Sequence, residues 1–347
     1  MNLRRLVLVA ALLVATIEAR AWDYNGHRIV NQLALAGLPE DFPAFVKTPE
    51  AAARIAFLAG EPDRWRNISD LPLRHENGPD HYLDMEDLDN AGIPLDKLSE
   101  FRYVFAAQLS AARETHPEKF PAINPDKNKD HVHELIGFLP WAIAENYGKL
   151  KSAFSYLKTY GRYGTPEEIA NAQANIIYIM GVMGHYVGDG AQPLHTTKHN
   201  NGWTGDNPRH YTTSTRFHAW IDGGYIASIK LTETNLDPRA KRAHILATPV
   251  SPSPSERDPV FADVMSYLLT THAQVEPLYQ LELSGALTPD SPDSPTAPGR
   301  VFIEQQLLRG GEMLSSLWLT AYRQAEPDIY LRTQLRKRQS TDTTPAP

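Results

Sequence analysis

Residues 165–195 read TPEEIANAQANIIYIMGVMGHYVGDGAQPLH, and the prediction of a helical fold starts from this stretch. Thr165 is a favourable N-cap residue, and Pro166 followed by two glutamates is typical of the first turn of a helix. The apolar residues that follow recur at helical spacing and predict a long helix that reaches Val187. Pro193 then ends the helical pattern, because its ring prevents continuation of the backbone hydrogen bonds.

Helical spacing of apolar residues continues through most of the chain. It covers residues 27–36, 48–66, 98–113, 142–160, 258–283 and 301–323. Polar and proline-rich connections separate these segments, at residues 116–129, 195–215, 247–258 and 284–300. No series of strands with regular turn signals is present in the sequence. We therefore expect an all-α fold, a single domain of packed helices over residues 22–333, with a disordered tail at 334–347.

The first 21 residues have the layout of a secretory signal peptide. Two arginines precede the apolar run 6–17, and Ala19-Arg20-Ala21 forms a small-x-small cleavage pattern. The apolar run is short for a membrane span, which favours a cleaved signal over an anchor. Cleavage after this pattern would make Trp22 the first residue of a mature protein that is secreted or periplasmic.

Composition limits the chemistry of the protein. The chain is 42% hydrophobic with a formal net charge of −7, which is typical of a globular protein and excludes disorder along its whole length. An acidic protein is poorly suited to electrostatic tracking along duplex nucleic acid. The chain has no cysteine, so disulfides and thiolate metal sites are impossible. Any metal must therefore be bound by histidine, carboxylate or backbone atoms.

Two His/Asp pairs are the strongest indication of a metal site. His185 and Asp189 are four residues apart, and His218 and Asp222 repeat this spacing. Each pair therefore shares one face of a helix, where imidazole and carboxylate can chelate an ion without backbone strain. A single such pair is more often a surface hydrogen bond. Here the first pair ends an apolar run, and burying it without a metal would be costly.

Two weaker pairs precede these. Asp63 and Arg66 lie three residues apart, and so do His81 and Asp84. Taken alone, each is more simply interpreted as a surface salt bridge.

Residues 131–134 also contain two histidines and a glutamate, but they precede an apolar segment and predict the capped start of a packed helix.

Taken in order, these segments resemble the S1/P1 nuclease family, which belongs with zinc-dependent phospholipase C in one helical superfamily. The resemblance covers residues 22–222. It is carried by Trp22-Asp-Tyr-Asn-Gly-His27, Asp63-x-x-Arg66, His81-Tyr-Leu-Asp84, His185-x3-Asp189-x5-His195 and His218-x3-Asp222. It implies a zinc-dependent phosphodiesterase that acts on single-stranded nucleic acid or nucleotides, with no obligate protein partner.

The resemblance also implies which residues bind three zinc ions. The first ion would be bound by Asp63, His81, His185 and Asp189. The second would be bound by the free amine and carbonyl of Trp22, by His27 and by Asp189, which bridges the two ions. The third would be bound by His195, His218 and Asp222. Because the Trp22 amine is free only after signal cleavage, the enzyme would become competent only after export.

Two further residues match family positions beside the cluster. Asp84 would orient the attacking water, and Arg66 would hold Asp84 in place or contact the phosphate. The alternative for both residues is an ion pair that supports the ligands and takes no part in the chemistry.

The loop after His195 departs from the family pattern. The nucleases carry Gly-Gly-Asn in this loop, whereas residues 199–208 here read HNNGWTGDNP. Trp203 or Tyr211 could stack on a base, cover a lipid headgroup or pack the loop. A short interval between the mature N-terminus and the first histidine ligand favours a nuclease over a phospholipase C, and so does an aspartate as the last ligand.

Three functions are therefore open. The first is a nuclease, and the second is a zinc-dependent phospholipase C that acts on phospholipid headgroups. The third is a periplasmic zinc-binding protein without catalytic activity. The presence of both Arg66 and Asp84 argues against the third function, because a protein that only binds zinc needs only the ligands.

Overall fold

A computed structural model describes residues 22–246, 258–291 and 294–342. These ranges contain helices and no strands, which confirms the predicted all-α fold. The predicted signal peptide and most of the connection at 247–258 lie outside the described residues. The longer helices are α1 Tyr24–Gly37, α2 Pro49–Leu58, α3 Glu61–Arg66, α4 Leu71–Asn77, α5 Arg102–Thr115, α6 Leu139–Tyr163, α7 Pro166–Ala191, α8 Pro259–His272, α9 Val275–Leu283, α10 Pro298–Gln324 and α11 Ile329–Asp342.

Helix α7 is the central helix of the domain. Its predicted N-cap is present: the Thr165 hydroxyl accepts a hydrogen bond from the Glu168 amide at 3.2 Å, and the Glu168 carboxylate accepts from the Thr165 amide at 2.8 Å. Such a cap stabilises a helix by about 1 kcal/mol. Every residue from Met180 to Ala191 is buried, and α1, α2, α6 and α10 pack around the helix. The predicted ligands at its C-terminal end therefore lie in the protein interior.

Glycines on α7 allow α1 and α2 to approach it closely. A Cβ atom at Gly184 would lie 1.6 Å from Oδ1 of Asn31, and one at Gly181 would lie 2.5 Å from Cβ of Leu58. Asn31 in turn donates hydrogen bonds from Nδ2 to the carbonyl oxygens of Ile55, at 2.9 Å, and Gly181, at 3.1 Å. One side chain thus joins three helices. His27 lies one turn before Asn31 on α1, and its ring reaches Asp189 near the C-terminal end of α7.

Some helix boundaries differ from the predicted ones. The segment 48–66 forms two helices, α2 and α3, which are separated at Ala59 and Gly60. Residues 131–134 belong to the connection before α6, which begins at Leu139, so the predicted helix start at 131 is wrong. The reason lies in the backbone: His131 has φ 58° and Gly137 has φ 100°, and neither value is compatible with a right-handed helix. The segment 258–283 likewise divides into α8 and α9.

The predicted disordered tail is a helix over most of its length. Residues 334–342 continue α11, whereas 343–347 lie outside the described residues. Leu335 on this helix is buried, and Arg338 donates two hydrogen bonds, at 2.8 and 3.0 Å, to the carboxylate of Glu168. The tail therefore has tertiary contacts that its polar composition does not indicate. Among the described helices, none combines the length and the apolar character needed to cross a membrane.

Candidate metal centre

The fold brings eight of the nine predicted ligands together by their side chains. Three groups of potential ligand atoms each lie within 4.8 Å of one another: His27, Asp63 and His185; His81, His185 and Asp189; and His195, His218 and Asp222. They come from α1, α3, α7, the short turns that contain His81 and His195, and a helical segment at 217–228. The structure can therefore hold metal ions at this end of α7.

The carboxylate of Asp189 lies at the middle of the centre. Its Oδ2 atom is 3.0 Å from Nδ1 of His81 and 3.3 Å from Nε2 of His185. Its Oδ1 atom is 3.4 Å from Nε2 of His27 and 3.7 Å from Nδ1 of His195. A carboxylate whose two oxygens face different imidazoles has the geometry of a ligand that bridges two ions.

The ligand atoms of the first two groups lie close enough together to share metal ions. Nδ1 of His81 lies 2.9 Å from Nε2 of His185, and Oδ1 of Asp63 lies 3.9 Å from the same Nε2 atom. The ring of His27 stacks on that of His185 with centroids 3.8 Å apart. Zinc–nitrogen bonds of 2.0–2.1 Å place the ligand atoms of a tetrahedral site about 3.3 Å apart. The two observed separations, 2.9 and 3.9 Å, lie below and above this value.

The third ligand group, His195, His218 and Asp222, has similar spacing. The Nε2 atoms of His195 and His218 are 3.0 Å apart, and Oδ2 of Asp222 is 3.0 Å from Nε2 of His218. The helix that carries the last two residues widens into a π-helical turn at Trp220–Gly224. Such turns are rare and occur frequently at functional sites. Gln192 fixes the other oxygen of Asp222, because its Nε2 donates to Oδ1 at 2.5 Å.

Backbone carbonyl groups orient two of the imidazoles. Nδ1 of His185 lies 2.7 Å from the carbonyl oxygen of Ala59, and Nδ1 of His195 lies 2.6 Å from that of His81. A proton on each Nδ1 atom satisfies these contacts and leaves the Nε2 lone pair directed at the neighbouring ligands. This is the tautomer that binds a metal through Nε2.

Burial sets the charge state of the ligands. It lowers the pKa of His185 to about 4 and the pKa values of His195 and His218 to about 3, so these imidazoles are neutral and able to bind a metal. Burial also raises the pKa of Asp222 to about 8 and that of Asp189 well above its usual range. Ionised carboxylates at this depth are unfavourable unless a cation compensates their charge.

Several buried ligand atoms also have no hydrogen-bond partner among the described residues. They are both ring nitrogens of His27, Nε2 of His81, Oδ1 of Asp189, Nδ1 of His218 and Oδ2 of Asp222. Unpaired polar atoms in a protein interior each cost about 1–3 kcal/mol. Metal ions among these atoms would supply both the missing partners and the missing positive charge.

Trp22 lies fully buried beside this centre. Its indole Nε1 donates to the carbonyl oxygen of Gly188 at 2.8 Å. The amide of Asp23 donates to the backbone oxygen of Asp222 at 2.9 Å, which ties the start of the described chain to the third ligand group. The role of the Trp22 amine as a ligand, expected after signal cleavage, stays a prediction.

A cavity of about 570 Å³ opens onto the centre, and His195, His218, Arg66 and Asp84 are among the residues that line it. Arg66 donates from Nε to Oδ1 of the ligand Asp63 at 2.7 Å. Its expected contact with Asp84 or with a phosphate stays a prediction.

Asp84 and Asn200 both line this cavity. Burial raises the pKa of Asp84 well above its usual range, which makes its carboxylate a stronger base. Oδ1 of Asp84 is buried and has no hydrogen-bond partner in the part of the chain that the structure describes. Asp84 is therefore a buried carboxyl group at the cavity with one unpaired oxygen.

Basic side chains line the cavity and the depression next to it. Arg66, Arg113 and Lys127 line the cavity, and Arg66, Lys127 and Arg74 line the adjoining depression. These residues place positive charge around the centre of a protein whose net charge is −7. Acidic side chains line the same surfaces, namely Asp84 and Asp87 in the cavity and Asp130 in the depression, where Asp130 pairs with Arg74.

The two aromatic residues considered for base stacking pack the loop instead. The Trp203 ring stacks on that of His199 with centroids 4.0 Å apart, and its Nε1 donates to a backbone oxygen of the same loop. Tyr211 is 3% exposed and packs against Tyr279. The loop residues that line the cavity are Asn200 and Asn201, and the sequence distinguishes neither of them.

Gln192 and Asn200 are the site residues that sequence reasoning missed. Gln192 lies between the ligands Asp189 and His195 in the sequence, so its position in the motif was a usable signal. Asn200 lies in a polar loop among other asparagines, and nothing in the sequence distinguishes it. Residues 131–134 contribute no ligand to the three groups found among the described residues.

No protein-family model and no curated protein matches the sequence. The resemblance to the S1/P1 nucleases therefore depends on the motifs quoted above.

Proposed function

We propose that the protein is an exported phosphodiesterase that uses three zinc ions to hydrolyse single-stranded nucleic acid or nucleotides, as the S1/P1 nucleases do. One observation carries this proposal. The buried Asp189 carboxylate faces imidazoles from four separate segments, next to a cavity lined by Asp84 and basic side chains. A zinc-binding protein without catalytic activity has no need of that cavity.

The donor atoms fit zinc. They are imidazole nitrogens and carboxylate oxygens, and no thiolate is available. Asp63, His81, His185 and Asp189 would hold one ion; Trp22, His27 and Asp189 a second; and His195, His218 and Asp222 a third. Bound zinc supplies positive charge at phosphate oxygens and lowers the pKa of water toward neutrality.

The protein's own side chains position and deprotonate the reacting groups. Asp84 accepts the proton of the attacking water, and Asn200 lines the same cavity. Arg66 keeps the ligand Asp63 in place through the hydrogen bond from Nε. Arg113 and Lys127 bind the phosphates on either side of the bond that is cleaved.

The depth of the centre favours a single strand over a duplex. Asp189 is fully buried and His195 is 2% exposed, so the scissile phosphate must enter the cavity to reach them. A single strand can bend its backbone into such a recess, whereas a duplex is too stiff and too wide to do so. Asn124 and Asn201 also line the cavity and offer amide groups to bases or sugars.

The test compares Asp84→Asn with the wild-type protein after signal removal. We expect hydrolysis of a single-stranded oligonucleotide to fall by about 10²–10⁴-fold while zinc stays near three ions per chain. Asp89→Asn is the matched control, because Asp89 is an exposed carboxylate five residues away and should leave the rate unchanged. Zinc is measured by elemental analysis of the same preparations.

The other outcomes separate the competing functions. Hydrolysis of phosphatidylcholine vesicles without hydrolysis of the oligonucleotide would identify a phospholipase C. Inactivity of the wild type on both substrates, with zinc bound, would identify a non-catalytic zinc-binding protein. Adding one residue before Trp22 should lower the zinc content from about three toward two. Zinc near one in the correctly processed protein would refute the three-ion proposal.

A further inference from the structure

A second cavity, of about 780 Å³, lies between α4, α5, α6 and α7. It shares only Leu135 with the cavity at the metal centre, and none of the candidate metal ligands lines it. Its volume lies within the range of about 300–1,000 Å³ that is typical of sites for small molecules. The proposed hydrolysis makes no use of this cavity.

Aromatic side chains form much of the cavity wall. They are Trp65, Tyr103, Phe138, Tyr178 and Tyr186. Tyr103 is 85% exposed and Tyr178 is 43% exposed, although both are large side chains that could have packed against the core. Because aromatic faces bind planar rings by stacking, two exposed tyrosines on facing helices are suited to hold a flat ligand.

Three buried polar side chains of the cavity have unused hydrogen-bonding groups. Tyr186 is 3% exposed, and no described residue bonds its hydroxyl group. Asn77 and Asn146 are 3% and 9% exposed, and their amide nitrogens donate to backbone carbonyls of their own helices at 3.1 and 2.8 Å. Their side-chain oxygens accept no hydrogen bond from any residue within the described ranges. The cavity therefore offers one hydroxyl group and two acceptors that a ligand can satisfy.

The charges that line the cavity nearly cancel. Arg102 donates to the carboxylates of both Asp80 and Glu145, and Lys149 and Glu76 are opposite charges nearby. Three carboxylates against two cations leave no excess of positive charge for a phosphate. An uncharged ligand is therefore favoured over a nucleotide.

We propose that this cavity binds an uncharged heteroaromatic molecule of nucleoside size, with its ring against Tyr103 and Tyr178 and its polar edge on Tyr186, Asn77 and Asn146. The site does not depend on the proposed hydrolytic function. It does adjoin the metal centre, because the Tyr186 ring lies 5.7 Å from the rings of both His81 and His185.

The experiment titrates adenosine into the zinc-loaded protein by isothermal calorimetry. We expect Tyr103→Ala to weaken binding about 5- to 150-fold, since stacking on an aromatic side chain contributes about 1–3 kcal/mol per base. Tyr186→Phe removes only the hydroxyl group and should weaken binding about fivefold, the effect of one hydrogen bond. Tyr330→Ala is the matched control, because Tyr330 is 74% exposed on α11 and does not line the cavity.

A variant in the cavity at the metal centre tests which of the two cavities binds adenosine. Asn201→Ala alters the cavity at the metal centre and should leave adenosine affinity unchanged. If Asn201→Ala weakens binding and Tyr103→Ala does not, adenosine binds at the metal centre and the proposal is wrong. Absence of heat at millimolar adenosine would also overturn it, and so would tighter binding of tryptamine, an aromatic cation. Thermal unfolding midpoints equal to that of the wild type confirm that each variant is folded.

Discussion

Replacing Gly188 with alanine tests whether the close packing of α7 against α1 holds His27 at the metal centre. A Cβ atom at position 188 would lie 2.7 Å from Nδ1 of His27 and 3.3 Å from its Cε1 atom. Ordinary contact begins at 3.4 Å, so the imidazole must move by about 0.7 Å. The His27 ring is fully buried and stacks on the His185 ring with centroids 3.8 Å apart. A shift of this size therefore disturbs the ligand geometry.

A metal site tolerates changes of only about 0.2 Å in ligand distance. We therefore expect Gly188→Ala to lose the one ion that His27 and Asp189 would share and to retain the others. Overpacking should also lower the free energy of unfolding by about 1–3 kcal/mol. The preference of a helix for alanine over glycine, about 0.5–1 kcal/mol, offsets part of that loss.

The assay measures metal per chain by elemental analysis and the free energy of unfolding by chemical denaturation. Gly148→Ala is the matched control, because a Cβ atom at this position on α6 meets nothing within 4 Å. It should keep the full metal content and be slightly more stable than the wild type. An unchanged metal content in Gly188→Ala would refute the reasoning. Loss of all ions in a folded variant would show that displacing His27 affects more than the one ion that it would bind.

Three further predictions concern stability and pH. Asn31→Ala removes two buried hydrogen bonds, to carbonyl oxygens of α2 and α7, and should destabilise the protein by about 1–3 kcal/mol; a change within 0.5 kcal/mol by chemical denaturation would contradict this. In the metal-free protein Asp222, with its pKa near 8, carries a proton at pH 7, so zinc binding should release protons and zinc affinity should rise with pH up to about 8. No histidine step should appear near pH 6.5, because burial lowers the pKa values of His185, His195 and His218 to about 3–4 and those of the other two histidine ligands well below their usual range. Calorimetry in buffers of different ionisation enthalpy measures both effects. Trp203→Ala should lower the unfolding midpoint through loss of the stack on His199 and leave base preference unchanged, and a changed preference in oligonucleotide cleavage would assign Trp203 to the substrate site.

The parts of the fold that local sequence determines were predicted correctly. The capping box at Thr165 and the helical face shared by His185 and Asp189 depend on residues within a few positions of each other, so spacing alone predicts them. The contact between His81 and Asp189 joins residues 108 positions apart and depends on how the helices pack. Only the resemblance to a known family led us to expect that contact.

The prediction of a disordered tail missed tertiary contacts that composition does not encode. Residues 334–342 look like a polar tail, yet Leu335 is buried and Arg338 pairs with Glu168, 170 positions earlier in the chain. For Trp203 the sequence left three alternatives open, and packing within the loop is the one that the structure shows. Its stack on His199 cannot be derived from the sequence of a loop without regular structure.

The ligand segments orient one another, and this couples metal binding to folding. The carbonyl of His81 accepts from the His195 ring, and the carbonyl of His195 accepts from the amide of Leu83 at 2.9 Å. A segment that supplies one ligand thus also fixes the direction of another, so the ligands lose their geometry together. The buried carboxylates Asp189 and Asp222 oppose this arrangement unless cations compensate their charge.

Removal of metal by a chelator should therefore lower the thermal unfolding midpoint, and zinc should restore it. Each site filled at one hundred times its dissociation constant adds about 2.7 kcal/mol to the free energy of unfolding. The gain should grow with the concentration of free zinc, because only the folded chain brings the ligand segments together. An unfolding midpoint that does not respond to chelator or zinc would mean that the buried His/Asp centre is stable as a hydrogen-bonded network without metal.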